Sequence, residues 1–498
     1  MPNTLKTISN LLKFLWKGNI NNIMDIEFDY TNVREEVIGS EHGINVDFEF
    51  KKYANKTVEI LNYINLERNV EGSKYQFLNF CDDRKSIAEV LEYSDMVKGK
   101  FDHLGMLCAA GPTVGIRAIV DALLMPYRNS LDSNARNGYP TFDIIDNVDP
   151  EKINGLASIR NIKKSLLLTI SKNGVSPVTM SSFMLARRRL EYEIGENYRM
   201  HMVTCAGAEA SILRQLSQQE GYKFFDIPYN VVGRYSIFSQ CGILPLALLG
   251  INVEEFLMGA KDAIETMLST DLSRNEAAKI SVLQHALSMD KGKNVSVIMP
   301  YSSRLKSVSK WCSRVMADVL CQTKDRDGND VNVSYIPYTA YGCTDQDTLL
   351  QMFHQGQNNK LINFFKIKNF TTDNILPNFF GNTPIGYLRG KSLSDLMDAE
   401  LNATKMTLIN HQRPNITMTI PEITPYYMGY FVSMYIVSML IQALLLNLDP
   451  FAHPDRDMLY DYLYAQLGQV GYEATYQEMQ DALNRHKFTS ASASAFMP

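Results

Sequence analysis

The chain has 498 residues, which at roughly 150 residues per domain allows two to four domains, each with a sizeable core. Hydrophobic residues make up 45% and charged residues 21%, as in globular proteins, so a largely disordered or fibrous chain is excluded. The formal net charge of -5 excludes the broadly basic surface that binds nucleic acid, and we expect no nucleic-acid partner.

The N-terminal stretch predicts a short amphipathic helix. Leu5, Ile8, Leu12 and Leu15 fall on one helical face, and the lysines lie elsewhere. Because Lys13 interrupts the apolar stretch and no small-residue cleavage site follows, we expect no secretory signal. Docking on the protein's own surface or on a neighbouring subunit is favoured over binding to a membrane surface or another partner.

Apolar runs of strand length then alternate with helical patterns, which is typical of parallel sheets covered by helices. The alternation occurs twice. The first set predicts strands near residues 104–109, 142–145, 166–171, 200–205 and 223–227. Helical patterns near residues 115–124 and 180–194 lie between them, and residues 250–292 form a helical connection.

The second set predicts strands near residues 295–299, 361–367 and 416–420, with helices near 304–320 and 345–354. The fold class is therefore α/β, with two parallel sheets flanked by helices.

Residues Met428–Leu448 form an apolar run that approaches the roughly 20 residues of a membrane span. Ser433, Ser438, Gln442 and Asn447 interrupt it, and neither flank is rich in Lys or Arg. A helix buried in a large core explains this run better, and we expect no membrane span.

Cysteine and histidine usage argues against metal and disulfide sites. The seven cysteines are an odd number, spread along the chain without a CxxC pair, which indicates a reducing compartment. None of the eight histidines stands in an HExxH or HxxxH pair, so we predict no metal site.

Two strand exits have the composition of anion-binding loops, because ligands of open parallel sheets bind beyond the carboxyl ends of the strands. The first includes Gly111 and Thr113, among small residues that open a helix whose N–H groups could hold an anion. The second carries the hydroxyls of Ser171, Ser176 and Thr179. Ordinary helix capping remains the alternative for both loops.

Several segments stand out in order along the chain: Gln76–Asp83, Lys100–Leu107, Val232–Pro245, Lys293–Leu305, Gly342–Asp347, Arg413–Glu422 and Asn447–Phe451. In this order they resemble bacterial glucose-6-phosphate isomerases, and the likeness covers roughly residues 75–480.

The resemblance implies two tandem sugar-isomerase (SIS) domains, at residues 75–255 and 293–480, joined by the helical connection 256–292. Residues 1–60 would form an N-terminal extension and residues 481–498 a tail. The family interconverts glucose 6-phosphate and fructose 6-phosphate in glycolysis and gluconeogenesis. It needs no cofactor and is usually a cytoplasmic homodimer.

The resemblance also implies site residues. Arg234 corresponds to the family arginine that stabilises the enediol, and Asp318 to the catalytic glutamate. Asp318 keeps the carboxylate but is one methylene shorter, a setback of about 1 Å. The family's two phosphate loops correspond to the segments that carry Gly111, Thr113, Ser171, Ser176 and Thr179.

Three positions depart from the family pattern. Asp347 stands where the family has its ring-opening histidine, Tyr460 where it has a late lysine, and Pro112 where it has a serine in the first phosphate loop. Proline removes both the hydroxyl and an N–H donor. His354 and His453 lie near the expected site, and either could supply a displaced acid, although structural roles are favoured.

Two interpretations of function stay open. The first is an aldose-ketose isomerase acting on a hexose phosphate, with Arg234 and Asp318 as catalytic residues. The second is a catalytically inactive family member that binds a phosphosugar or serves a structural or regulatory role.

Overall fold

The computed structural model describes residues 26–109, 111–208, 210–333, 335–452 and 457–492, so the predicted N-terminal helix lies outside it. Its strands are β1 Glu27–Asp29, β2 His103–Leu107, β3 Thr141–Ile145, β4 Ser165–Ser171, β5 Met202–Ala206, β6 Lys223–Asp226, β7 Val295–Pro300, β8 Gln322–Lys324, β9 Asp330–Val333, β10 Ile336–Thr339, β11 Lys360–Ile367 and β12 Asn415–Ile420. Its helices are α1 Glu35–Ile38, α2 Val46–Glu67, α3 Arg84–Val97, α4 Gly111–Leu123, α5 Pro150–Ile159, α6 Pro177–Ile194, α7 Ile212–Glu220, α8 Gln240–Leu248, α9 Val253–Met267, α10 Glu276–Lys291, α11 Lys306–Leu320, α12 Gln346–His354, α13 Leu393–Asn410, α14 Pro425–Leu445, α15 Asp457–Gln466 and α16 Glu473–Ser492.

The first sheet has five parallel strands in the order β3-β2-β4-β5-β6. Its central strand β4 is buried from Ser165 through Ile170, as expected for a parallel sheet with helices on both faces. The five strands predicted for this region are confirmed. Both predicted anion loops follow carboxyl ends of this sheet, after β2 and β4.

The second sheet has the order β1-β12-β11-β7-β10. The predicted strands β7, β11 and β12 are confirmed, and all three are parallel. Sequence reasoning missed two edge strands. β10 pairs parallel with β7 and contains Pro337, and the three-residue β1 pairs antiparallel with β12. The segment predicted as an extension without a strong pattern thus contributes a strand to this sheet.

The two faces of the second sheet carry different helices. On one face, Val297 packs in a cluster with Phe353 of α12. On the other face, Ile298 lines a small cavity together with Met316 of α11 and Met434 of α14. The α/β fold with helices on both sides of parallel sheets is confirmed.

Helix α14 is the apolar helix that the sequence predicts. Among the described residues it alone is long and apolar enough to cross a membrane, and 89% of its most apolar window is buried inside the protein. Two glycines allow its close packing against α9, since a Cβ built on Gly429 or Gly259 would lie 1.9 Å from a backbone oxygen of the other helix. The expectation of a core helix is confirmed.

Helices α4 and α11 pack against each other in opposite directions, and this packing links the two sheets. Arg304, just before α11, donates from Nε to Ala122 O at 2.6 Å and from Nη2 to Leu123 O at 3.2 Å, at the end of α4. Ser307 donates to the Asp121 carboxylate nearby. The last turn of α11 therefore lies beside the first turn of α4, where the first predicted anion loop enters the helix.

The chain forms two compact units, and the second begins at Phe451. In this unit α15 and α16 pack on each other, and the Tyr464 ring lies 5.9 Å from that of Tyr460 and 5.5 Å from that of Tyr472.

Candidate active site

Arg234 lies in a 3₁₀ helix, Gly233–Phe238, that follows β6. Its side chain is 5% exposed, and Nη1 lies 3.9 Å from Oδ2 of Asp318. Nη2 donates to the carbonyl of Pro450 at 3.0 Å. The structure therefore brings together the two residues that were predicted as catalytic.

Asp318 reaches this position from the last turn of α11, on the solvent side of the buried positions Val315 and Val319. Its side chain is 32% exposed. At 3.9 Å the pair attracts by about 4 kcal/mol before desolvation, if the effective dielectric constant is about 20. The distance exceeds that of a hydrogen bond, so this arginine leaves the carboxylate oxygens open to accept a proton.

A second donor fixes the carbonyl that Arg234 binds. The Tyr235 hydroxyl also donates to Pro450 O, at 3.0 Å. Burial raises the pKa of Tyr235, so the phenol stays neutral and keeps its proton on this bond. Sequence reasoning missed the Pro450 carbonyl, because a backbone carbonyl has no residue-type signature.

The first anion loop touches the arginine segment directly. A Cβ built on Gly111 would lie 3.0 Å from Gly233 C and 3.2 Å from Arg234 N, so a side chain there would displace the loop. Pro112 packs against Gly233 on the same side. Because Pro112 stands in the first turn of α4, the helix loses no hydrogen bond, although the loop has one N–H fewer.

The hydroxyls predicted to bind phosphate differ in whether their own proton is still available to donate to a ligand. Ser171 Oγ accepts from Gly174 N at 3.1 Å and Ser176 Oγ from Thr179 N at 3.5 Å, so each keeps its own proton to donate. Thr179 Oγ1 accepts from Ala109 N at 3.2 Å and ties the two loops together.

The remaining hydroxyl, that of Thr113, donates its proton to Cys108 O at 2.9 Å. Thr113 and Thr179 are 3% and 2% exposed, so their first effect is to hold the loops in place. The assignment of all four to a phosphate stays a prediction.

Lys172 connects the second loop to the segment before Arg234. Its ammonium donates to Tyr229 O at 2.6 Å and to Val231 O at 3.1 Å. Burial and the neighbouring charge of Lys74 lower the pKa of Lys172. Sequence reasoning left this residue out of the site, and its role here is to position the chain that carries the arginine.

Asp347, which stands where the family has its ring-opening histidine, does not lie beside Arg234 and Asp318 within one chain. Helix α11 runs from the carboxyl end of β7 back to its amino end, so Asp318 lies near the amino edge of the second sheet. Asp347 is exposed in the first turn of α12, after the carboxyl end of β10. At 1.5 Å per residue, Asp318 is about 18 Å along the helix axis from Lys306, which begins α11. Tyr460 lies on α15 in the second unit.

The structure places His354 away from the pair within one chain. His354 lies at the end of α12, on the opposite face of the second sheet from α11, and its ring is 4.6 Å from that of His411. Burial, His411 and Arg413 lower the pKa of His354. Within one chain His354 therefore lies away from the pair, and its role stays a prediction. His453 lies outside the described residues.

Two parallel sheets flanked by helices, with a buried arginine beside a carboxylate at the carboxyl edge of the first sheet, define a protein of the sugar-isomerase type. A family model described as phosphoglucose isomerase matches residues 99–455. The chain belongs to the phosphoglucose isomerase family.

Individual relatives agree with this assignment. The glucose-6-phosphate isomerase of Carboxydothermus hydrogenoformans is 28% identical over 93% of this chain and 99% of its own length. That of Symbiobacterium thermophilum is 28% identical over 80% of this chain and 88% of its own.

Solved structures share the fold. A hypothetical protein from Thermus thermophilus superposes with a TM-score of 0.78 at 25% identity, over 89% of this chain and 100% of that one. A glucose-6-phosphate isomerase from Chlamydia trachomatis superposes with a TM-score of 0.75 at 15% identity, over 93% and 92%. The resemblance inferred from the sequence is confirmed.

Proposed function

We propose that this protein is a glucose-6-phosphate isomerase that interconverts glucose 6-phosphate and fructose 6-phosphate. The observation that carries the proposal is the pairing of the buried Arg234 with the half-exposed Asp318, at 3.9 Å, beside the two anion loops. The names of the relatives support the same reaction, and none of them supports the inactive alternative.

Asp318 would act as the base that carries a proton between C1 and C2 of the open-chain sugar. Removing that proton leaves negative charge on the neighbouring oxygen, which gives an enediolate. A fixed guanidinium close to that oxygen lowers the barrier, because it needs no reorganisation as the charge develops. Arg234 fits this role, since it is buried and held by the Pro450 carbonyl.

The phosphate of the sugar would bind the two loops after β2 and β4. Ser171, Ser176 and Thr179 keep hydroxyl protons, and Gly111 and Ser176 stand at the starts of α4 and α6. Helix N-termini attract anions through their free N–H groups and the helix dipole. Thr113 would keep the first loop in shape through its bond to Cys108 O.

We also propose that the enzyme works in the cytoplasm as a homodimer, as the family resemblance implies. All seven cysteines are free, which suits a reducing compartment.

A coupled assay tests the proposal by converting fructose 6-phosphate to glucose 6-phosphate and oxidising the product with a dehydrogenase. We expect measurable turnover for the unmodified chain and a loss of at least a hundredfold for Arg234→Ala. Arg199→Ala, at an exposed arginine on the protein surface, is the matched control and should keep full activity. Equal rates for the unmodified chain and Arg234→Ala at high protein concentration would refute the proposal.

A further inference from the structure

Four cationic residues lie where three strands of the second sheet begin, near enough for the other three to lower the pKa of Lys293. Lys291 ends α10 and Lys293 stands just before β7, whereas Lys360 begins β11 and Arg413 precedes β12. Because β7, β11 and β12 are parallel, their amino ends share one edge of the sheet. We name these four residues the amino-edge cation cluster.

Lys293 is a buried ammonium with no carboxylate partner in the part of the chain that the structure describes. It is 2% exposed and donates to Asn358 O at 2.6 Å, Asn358 Oδ1 at 2.9 Å and His42 Nδ1 at 3.3 Å. Burial and the charge of Arg413 lower its pKa to about 8, so it is charged at neutral pH. Buried lysines are normally paired with an acid, and here the three acceptors are neutral.

The other members of the cluster are also held by neutral oxygens. Arg413 donates from Nε at 3.1 Å and from Nη2 at 2.7 Å to His354 O, and its buried Nη1 has no hydrogen-bond partner among the described residues. Lys360 donates to Gln357 O at 2.8 Å. Lys291 donates to Ser40 O at 2.7 Å.

Few carboxylates of the described residues lie near the cluster. Glu41 is the carboxylate that raises the pKa of Lys293, and its side chain is 83% exposed. The C-terminal ends of α10, α12 and α13 meet this edge, and their dipoles offset part of the positive charge. Asp290, directly before Lys291, is paired with Lys52. Among the described residues the four cations therefore still outnumber the carboxylates left to balance them, in a chain whose net charge is -5.

We propose that the amino-edge cation cluster binds a small oxyanion of the phosphate class. An anion there would neutralise the excess charge and accept hydrogen bonds from the half-exposed Lys291 and Lys360. The site is distinct from the proposed substrate phosphate loops, because Arg413 binds the end of α12, which lies on the face of the second sheet opposite to α11 and Asp318. The inference therefore does not depend on isomerase activity.

Thermal unfolding in inorganic phosphate, compared with sodium chloride at the same ionic strength, tests the proposal. The cluster variant is Lys291→Gln/Lys360→Gln, and the matched control is Lys163→Gln/Lys324→Gln, at two exposed surface lysines. Phosphate bound at the substrate loops should raise the Tm of all three proteins equally, so its contribution cancels when their Tm shifts are compared. Chloride at equal ionic strength removes the effect of screening.

We expect phosphate to raise the Tm of the unmodified and control proteins equally, and the cluster variant to lose at least half of that rise. An equal rise in all three would overturn the proposal. If the cluster variant fails to fold, crystals of the unmodified chain are soaked in tungstate, and the anomalous density locates the bound anion. Anomalous density in contact with Lys291 or Lys360 supports the site, and density confined to other places shows an adventitious ion only and overturns it.

Discussion

Lengthening the carboxylate at position 318 is expected to increase activity. Asp318 is one methylene shorter than the glutamate that the family resemblance implies, and a misplacement of about 1 Å at a reacting atom costs about a hundredfold in rate. That factor corresponds to about 2.7 kcal/mol in the activation barrier. Position 318 is helical and its side chain is 32% exposed, so a glutamate has both the conformation and the space it needs.

Asp318→Glu should therefore raise kcat in the coupled isomerase assay by up to about a hundredfold. The free energy of unfolding, measured in urea, should change by less than about 0.5 kcal/mol, as for other substitutions at partly exposed positions. Asp318→Asn keeps the shape of the side chain but cannot accept the proton, and its activity should fall to background. Asp330→Glu, at an exposed carboxylate, is the control for an added methylene. Unchanged activity in Asp318→Asn would refute the role of this residue as the base.

Two further predictions concern loop packing and pH. Gly111→Ala should lower the free energy of unfolding in urea by about 1–3 kcal/mol and the activity at least tenfold, because its Cβ would meet Gly233. The control Gly155→Ala, in open space on α5, should be neutral or stabilising. Equal effects of the two substitutions would contradict the packing argument. Burial lowers the pKa of His103 to about 4, below the unfolded value of 6.5, so the free energy of unfolding should fall by up to about 3 kcal/mol between pH 6.5 and 4. His103→Asn should flatten that slope, and parallel curves for the two proteins would show that other groups cause it.

Long buried elements were predictable from the sequence, and short edge elements were not. Strands such as β4 and β11 are mainly apolar and buried at nearly every position, and a buried strand or helix segment explains such a run. β10 contains Pro337 and has alternating exposed positions, and β1 has three residues, so neither carries enough pattern to distinguish it from a loop.

The pairing of Arg234 with Asp318 came from the family resemblance and not from spacing. The two residues are far apart in the chain, and the antiparallel packing of α4 with α11 brings them together. The contribution of Pro450 O depends on tertiary structure alone. The amino-edge cation cluster was also hidden in the sequence, because its members lie in three separate segments and form no charge run.

Isomerisation in deuterated water is the most direct test of the central claim. If Asp318 carries a proton between C1 and C2, fructose 6-phosphate should yield glucose 6-phosphate with deuterium at C2, since a carboxyl proton exchanges with solvent before it is returned. The NMR spectrum should show this product with the unmodified chain and not with Asp318→Asn. No glucose 6-phosphate above the protein-free sample, with protein and substrate at comparable concentrations, would contradict the account.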